Sequence, residues 1–329
     1  MEIFGNLIGN EDIKSTLGLS IASSEFLHAY IIEGQEGTGR HTLARLASAA
    51  IMCSSSGDKL PCGHCESCRK ILNDSAPDVR ILDAHKVDDV RKIKETLYES
   101  TTEFDYKIYI LNDCDEMNVK AQNALLISLE EPPKNVVFFL ICKDATALLE
   151  TIRSRAQILR MKPLPSDVIF DYIKRKSDGS LSDEAISEIV VSSNGSLGYA
   201  LNMTDTQKAQ TLTKERERAR TFVESLLSCD IDTYSMLGSM FNMQREKLKS
   251  LIALSLSCTR DLIIVKKSKE AHLCFYTSHR DAYSVASKYD IKKILSLYEG
   301  LERALEDLGS NASVQSTLAS ILKKGVYYG

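Results

Sequence analysis

Five short runs of apolar and β-branched residues, at 29–33, 79–83, 107–111, 136–142 and 157–161, punctuate the first half of the chain, separated by stretches with helical apolar spacing. Runs of this length bounded by polar and turn residues predict strands. Their alternation with helices predicts a mainly parallel sheet covered on both faces. One intervening stretch, 119–131, has Asn118 as its N-cap, Leu125 and Leu129 on one face, and Pro132-Pro133 as its stop. The pattern changes after Pro165. All six prolines lie between Pro61 and Pro165, and the 164 residues beyond contain none. There the periodicity is helical, at 166–176 and 182–193, with Asn194-Gly195 closing the second helix. After about residue 209, longer amphipathic helices follow at 219–227, 247–265, 291–308 and 314–322. A packed bundle and a subunit interface both fit those apolar faces.

The 329 residues give room for two or three domains and a sizeable core. No apolar run approaches the ~20 residues of a membrane helix, and the start, Met1-Glu2-Ile3-Phe4, lacks a basic region followed by an apolar one. The expected location is the cytoplasm, with no membrane partner. Of the 41 Lys/Arg and 45 Asp/Glu, residues 1–165 hold 19 and 24, so the core is acidic and the second half nearly balanced. That distribution lacks the concentrated basic stripe of an autonomous nucleic-acid binder, and any DNA contact is expected to be shared with other subunits.

The run at 29–33 leads into Gly34-Gln35-Glu36-Gly37-Thr38-Gly39-Arg40-His41-Thr42. A working phosphate loop, G-x-x-x-x-G-K-[ST], wraps phosphates with backbone N–H groups, reaches them with a lysine and holds Mg²⁺ with a hydroxyl. Gly34 and Gly39 occupy the glycine positions and Gly37 lies between them. The lysine position holds Arg40, a wide planar fork in place of a compact ammonium. His41 stands at the hydroxyl position, a poor ligand for a hard cation, and Thr42 is turned about 100° away along the helix. Phosphate binding with impaired hydrolysis is one reading, and a glycine-rich turn without a ligand is the other.

Nine cysteines argue for metal or thiol roles in a reducing compartment. Cys53, Cys62, Cys65 and Cys68 lie within sixteen residues and supply four thiolates, the full set for a closed tetrahedral structural Zn²⁺ site, with Pro61 and Gly63 providing the turn. An iron–sulfur cluster is the competing metal, although the ferredoxin-type run is not completed downstream. His64 is a spare ligand or a solvent-facing turn residue.

After the run at 107–111 come Asn112 and Asp113, where a second phosphate-site component would place a magnesium-holding Asp. The first acid position is therefore uncharged. Further on, Ser154-Arg155 is either a solvated basic turn or an arginine finger offered to a neighbour's γ-phosphate.

Taken in order, Leu27-His28-Ala29-Tyr30, the 34–42 loop, the four cysteines, the Leu129-Glu130-Glu131-Pro132-Pro133 helix end, Ser154-Arg155 and Asn194-Gly195-Ser196-Leu197-Gly198-Tyr199 resemble the clamp-loader subunits of bacterial DNA polymerase III, members of the AAA+ class. The resemblance spans residues 4–201. It implies an α/β AAA+ P-loop core over 1–165 with an inserted zinc module at 53–68, a small helical lid domain over 166–208 and an all-α collar domain over 209–329. It also implies a hetero-pentameric complex with gamma/tau and delta subunits that loads a sliding clamp on primed DNA. Arg155 falls on the arginine of the family's Ser-Arg-Cys motif, with Ala156 in place of the cysteine, and would act in trans on a neighbour's ATP. Cys142-Lys143 and Tyr199 replace the family's sensor threonine and lid arginine. With Arg40, His41 and Asn112 they weaken ATP and Mg²⁺ binding in this chain, and the balance points to the delta-prime side of the family. The alternative is a divergent gamma/tau-like motor that hydrolyses ATP.

Overall fold

The computed structural model describes residues 2–55, 59–84, 87–229, 231–268, 273–276, 278–309 and 313–326. The strands are β1 (Glu2–Ile3), β2 (Ala29–Glu33), β3 (Lys59–Leu60), β4 (Val79–Asp83), β5 (Lys107–Asn112), β6 (Val136–Cys142) and β7 (Gln157–Arg160). In the first half the helices are α1 (Glu11–Ala22), α2 (Arg40–Ile51), α3 (Glu66–Leu72), α4 (Val87–Thr96), α5 (Val119–Glu130) and α6 (Glu150–Arg153). The second half contains α7 (Ser166–Ser177), α8 (Asp183–Ser193), α9 (Leu197–Thr204), α10 (Thr206–Ser228), α11 (Ile231–Met240), α12 (Arg245–Lys267), α13 (His279–Ala286), α14 (Ile291–Gly309) and α15 (Val314–Val326).

Two compact units emerge: Met1–Val168 with Gly195–Tyr199, and Ile169–Asn194 with Ala200–Gly329. In the first, five parallel strands run in the order β4-β5-β6-β2-β7. Strand periodicity sends alternate residues to opposite faces. Tyr30, Ile32, Ile108, Ile110, Val137, Phe139 and Ile141 pack on one side with Leu17 and Ile21 of α1 and Leu43, Ala44 and Ala47 of α2. Ala29, Ile31, Tyr109, Leu111, Phe138 and Leu140 pack on the other with Val90 and Ile93 of α4 and Leu125 and Leu129 of α5. All seven residues of β6 are buried, as a central strand covered on both faces requires. Each fully buried Val, Leu, Ile or Phe side chain is worth ~1.5–3 kcal/mol, so strands and covering helices stabilise the unit together.

A two-residue parallel pair, β1 with β3, joins the N-terminal segment to the cysteine-bearing insert. Asp78, 2% exposed, accepts from the backbone N–H groups of Thr102 at 2.7 Å, Glu103 at 2.7 Å and Phe104 at 3.0 Å, fixing the turn that enters β5.

The second unit is all helix among its described residues. Its main core unites Phe222, Val223 and Leu226 of α10, Leu248, Ile252, Cys258 and Leu262 of α12, and Ile294, Leu301 and Leu308 of α14. Asp261 of α12, fully buried, accepts from the N–H groups of Cys274 (2.9 Å), Phe275 (2.6 Å) and Tyr276 (3.0 Å). Those bonds pin the turn before α13. No helix among the described residues is long and apolar enough to cross a membrane.

Candidate functional site

The loop leaves β2 at the carboxyl end of the sheet, where parallel α/β sheets place their ligands. Gly34 N–H donates to Cys142 O at 3.2 Å, tying the loop's start to the end of β6. Gly37 (φ 76°) and Gly39 (φ 97°) adopt the left-handed conformation, which other residues enter at a cost. Gly39 is the N-cap of α2, and no acid occupies that helix's first turn. The backbone therefore has the form the sequence led us to expect.

Its side chains lie differently from a lysine–hydroxyl pair. Arg40 is 4% exposed, whereas His41 and Thr42 face solvent. Burial of one side of the His41 ring and the adjacent Arg40 charge lower its pKa, against the opposing pull of Asp113 and Glu36. Asn112 Oδ1 is buried and unpartnered. Asp113 adopts the left-handed conformation (φ 51°), and Asp115 Oδ1 accepts from Lys143 N–H at 3.3 Å. Residues 34–42, Asn112 and Asp113 thus meet at one end of the sheet.

A contact that sequence reasoning missed braces this loop. Within the first unit, Gly195–Tyr199 lies directly on it: Ser196 Oγ donates to Glu36 O at 2.9 Å and Gly198 N–H to Gly37 O at 2.9 Å. The approach needs glycine on both sides. A Cβ on Gly198 would sit 2.8 Å from Gly37 Cα, and one on Gly37 would sit 2.1 Å from Ser196 Oγ. The only sequence signal was the glycine pair in Gly195-Ser196-Leu197-Gly198, some 160 residues away from the loop.

At the far end of α2 the four cysteines converge. The Sγ atoms of Cys53, Cys62, Cys65 and Cys68 all lie within 4.8 Å of one another, and Cys62 and Cys68 are 3.9 Å apart. A tetrahedron of ~2.3 Å zinc–sulfur bonds has edges of about 3.8 Å, so the cluster fits one Zn²⁺. An iron–sulfur cluster would need wider spacing to admit several irons and sulfides. Cys65 N–H points at Cys62 Sγ and Cys68 N–H at Cys65 Sγ, each at 3.4 Å. Such bonds stabilise thiolates. At Cys65 burial works against ionisation, but hydrogen bonds from Cys68 and Ser54 prevail and bring the pKa down to about 6. His64 stands outside the cluster, exposed, its Nδ1 3.0 Å from Cys62 O. With all four positions filled, the metal's part is structural.

Arg155 lies at the end of α6. Its Nη1 donates to Thr151 O at 2.9 Å and its Nη2 pairs with Glu130 Oε1 at 3.0 Å, with 36% of the side chain exposed. Exposed pairs of this kind contribute ~0–1 kcal/mol, so the guanidinium is free to change partner.

A parallel sheet with its loop strand set between β6 and β7, a glycine-braced phosphate loop and a four-cysteine insert defines an AAA+-type core. Residues 9–165 match the family described as DNA polymerase III, delta subunit. That match covers just under half of the chain, and the relatives similar to it are gamma and tau chains of DNA polymerase III. The DNA polymerase III gamma subunit of Buchnera aphidicola is 27% identical over 77% of this chain and 70% of its own length. The tau subunit of Bacillus subtilis is 31% identical over 61% of this chain and 37% of its own, and that of Escherichia coli 29% over 62% and 33%. This chain spans only about a third of either tau protein.

Proposed function

We propose that the chain is a delta-prime-type clamp-loader subunit that does not turn over ATP and instead supplies Arg155 in trans to nucleotide held by an adjacent gamma/tau motor. One observation carries the reading. The loop keeps its backbone while Arg40 is buried, His41 stands at the metal-ligand position and Asn112 brings no charge. With a histidine at the hydroxyl position and an uncharged Asn112 at the first acid position, Mg²⁺ is held weakly and the γ-phosphate loses charge neutralisation that phosphoryl transfer requires. The half-exposed Arg155 guanidinium, in contrast, is available to a neighbour. In this scheme residues 166–208 form a lid, residues 209–329 form a collar that joins the subunits, and the ring loads a sliding clamp on primed DNA. The four cysteines hold the zinc that stiffens the core.

A gamma/tau-like motor is the second reading, favoured by the relatives named above, which are gamma and tau chains. Mg²⁺-dependent ATP hydrolysis by the purified chain separates the two, with Arg40→Ala to exclude a contaminating ATPase. The first reading expects no turnover above that control. Robust turnover lost in Arg40→Ala would establish the motor.

A further inference from the structure

Arg155 follows a helix too short to place it unaided. α6 has four residues, well under the ~12–15 at which a helix becomes even marginally stable by itself in water. Buried Leu148 and Ile152 press the segment onto the core it shares with Leu125 and Leu129 of α5. Apolar contact is non-directional, however, and does not fix the height or rotation of a single turn. The ion pair of Arg155 with Glu130 is exposed on both sides and adds little.

The directional contacts come from Gln122 of α5, a side chain only 4% exposed. Its Oε1 accepts from Leu149 N–H at 2.7 Å, and its Nε2 donates to Ala147 O at 3.2 Å and Met117 O at 3.1 Å. Only this orientation of the amide satisfies all three groups, because a flip would set its nitrogen against the Leu149 N–H. Leu149 is the N-cap of α6 and supplies no side-chain cap of its own. Its carbonyl accepts from Ile152 N–H at 2.9 Å and Arg153 N–H at 3.1 Å, and Ile152 O accepts from Arg155 N–H at 3.1 Å. Thr151 O, in the same turn, accepts from Arg155 Nη1 at 2.9 Å. A continuous run of hydrogen bonds thus leads from the buried amide to the arginine.

We propose that Gln122 is a positioning residue for Arg155, setting the height and rotation of α6 so that the guanidinium is presented to a neighbour's nucleotide. The proposal deepens the arginine-finger reading and rests on it. Gln122 touches no nucleotide and acts only through α6. Without its amide, Leu149 N–H and the Ala147 and Met117 carbonyls lose a partner, and the 147–149 segment shifts to recover one. A displacement of about 1 Å can cost ~10²-fold in rate.

The test is ATP turnover, resolved into kcat and KM, by a complex of the full chain with gamma/tau and delta subunits, a sliding clamp and primed DNA. Parent, Gln122→Met, Arg155→Ala and the double variant are compared, methionine keeping the side chain's length without its hydrogen bonds. The expected result for Gln122→Met is a fall in kcat of roughly 10- to 100-fold at near-parent KM. Adding Gln122→Met to Arg155→Ala should bring no further fall, since the two act as one unit. In the free chain, hydrogen exchange should rise across 149–155 and hold steady in the sheet. Gln122→Glu keeps the acceptor and regains a donor only when its carboxyl is protonated, so its turnover relative to the parent should rise from pH 8 to pH 6. That variant decides the matter should Gln122→Met not fold, and a ratio independent of pH would count against the proposal. Parent-like kcat in a folded Gln122→Met, a change confined to KM, or a further loss of the same size in the Arg155→Ala background would overturn it. Turnover unaffected by Arg155→Ala would instead refute the arginine-finger reading, so the two failures are distinguishable.

Discussion

At its N-terminal end, helix α2 receives a phosphate loop whose backbone form is kept and whose working side chains are exchanged. At its C-terminal end, two residues past Ile51, Cys53 enters a cluster in which every ligand is present. The loop's form depends on glycines at positive φ and on contacts from Gly195–Tyr199, none of which involves the lysine or hydroxyl positions. The loop's backbone form is therefore independent of the side chains on which hydrolysis would depend. A zinc site has no such separation, because its ligand atoms are its geometry. Losing one sulfur would leave three around an open position.

The contrast breaks most forcefully at the metal end. Cys68→Ser removes a fully buried ligand that also packs against Ala49 of α2. Structural zinc sites carry apparent binding free energies of ~10 kcal/mol or more, so this variant should lose several kcal/mol of stability and its metal. Elemental analysis should find one zinc per parent chain and denaturant unfolding should report the loss. A parent chain without zinc would remove this half of the comparison.

At the loop, Gly37→Ala imposes a strained φ and drives a Cβ into Ser196 Oγ, at an expected cost of about 1–2 kcal/mol. Hydrogen exchange should rise at 195–199 as the brace lifts, and unchanged exchange there would mean that the brace is incidental. Between the two ends, Arg45 Nη2 donates to Leu72 O and pairs with Asp74, each at 2.7 Å, linking α2 to the end of α3, the helix that carries Cys68. With that ion pair partly exposed, Arg45→Ala should cost only about 1 kcal/mol. It should loosen the module while leaving exchange in the loop as it was.

The smallest effect is one of pH. Burial and Arg40 depress the His41 pKa, so the folded chain binds fewer protons here than the unfolded chain. The contribution is complete above the ordinary histidine value near 6.5 and is lost as pH falls through the lower folded value. The stability gap between the parent and His41→Gln should shift in that direction between pH 7 and 5, and a gap independent of pH would show that the ring is not held neutral.

Much of this was legible in the sequence, where the signal was local. The runs at 29–33, 79–83 and 136–142 became strands with those bounds. Asn118 caps α5 through its side chain and Asn194 takes the left-handed cap conformation, while Ser182, read as the first residue of its helix, is the N-cap of α8. The cysteine spacing gave all four sulfurs of the cluster. What escaped was long-range. Two-residue strands such as β1 and β3 carry no period to detect. The seating of Ser196 and Gly198 on the loop joins segments about 160 residues apart, and Arg40 is buried although arginine by itself favours the surface.

The central claim is that this chain contributes a catalytic arginine and not a catalytic loop. Its most direct test is ATP turnover by a complex reconstituted with gamma/tau and delta subunits, a sliding clamp and primed DNA, comparing the parent with Arg155→Ala and Arg40→Ala. The account predicts a fall of about 10³-fold or more at the adjacent motor site for Arg155→Ala, as for other arginine fingers, and near-parent turnover for Arg40→Ala. Unchanged turnover in Arg155→Ala, with the loss falling on Arg40→Ala, would contradict it.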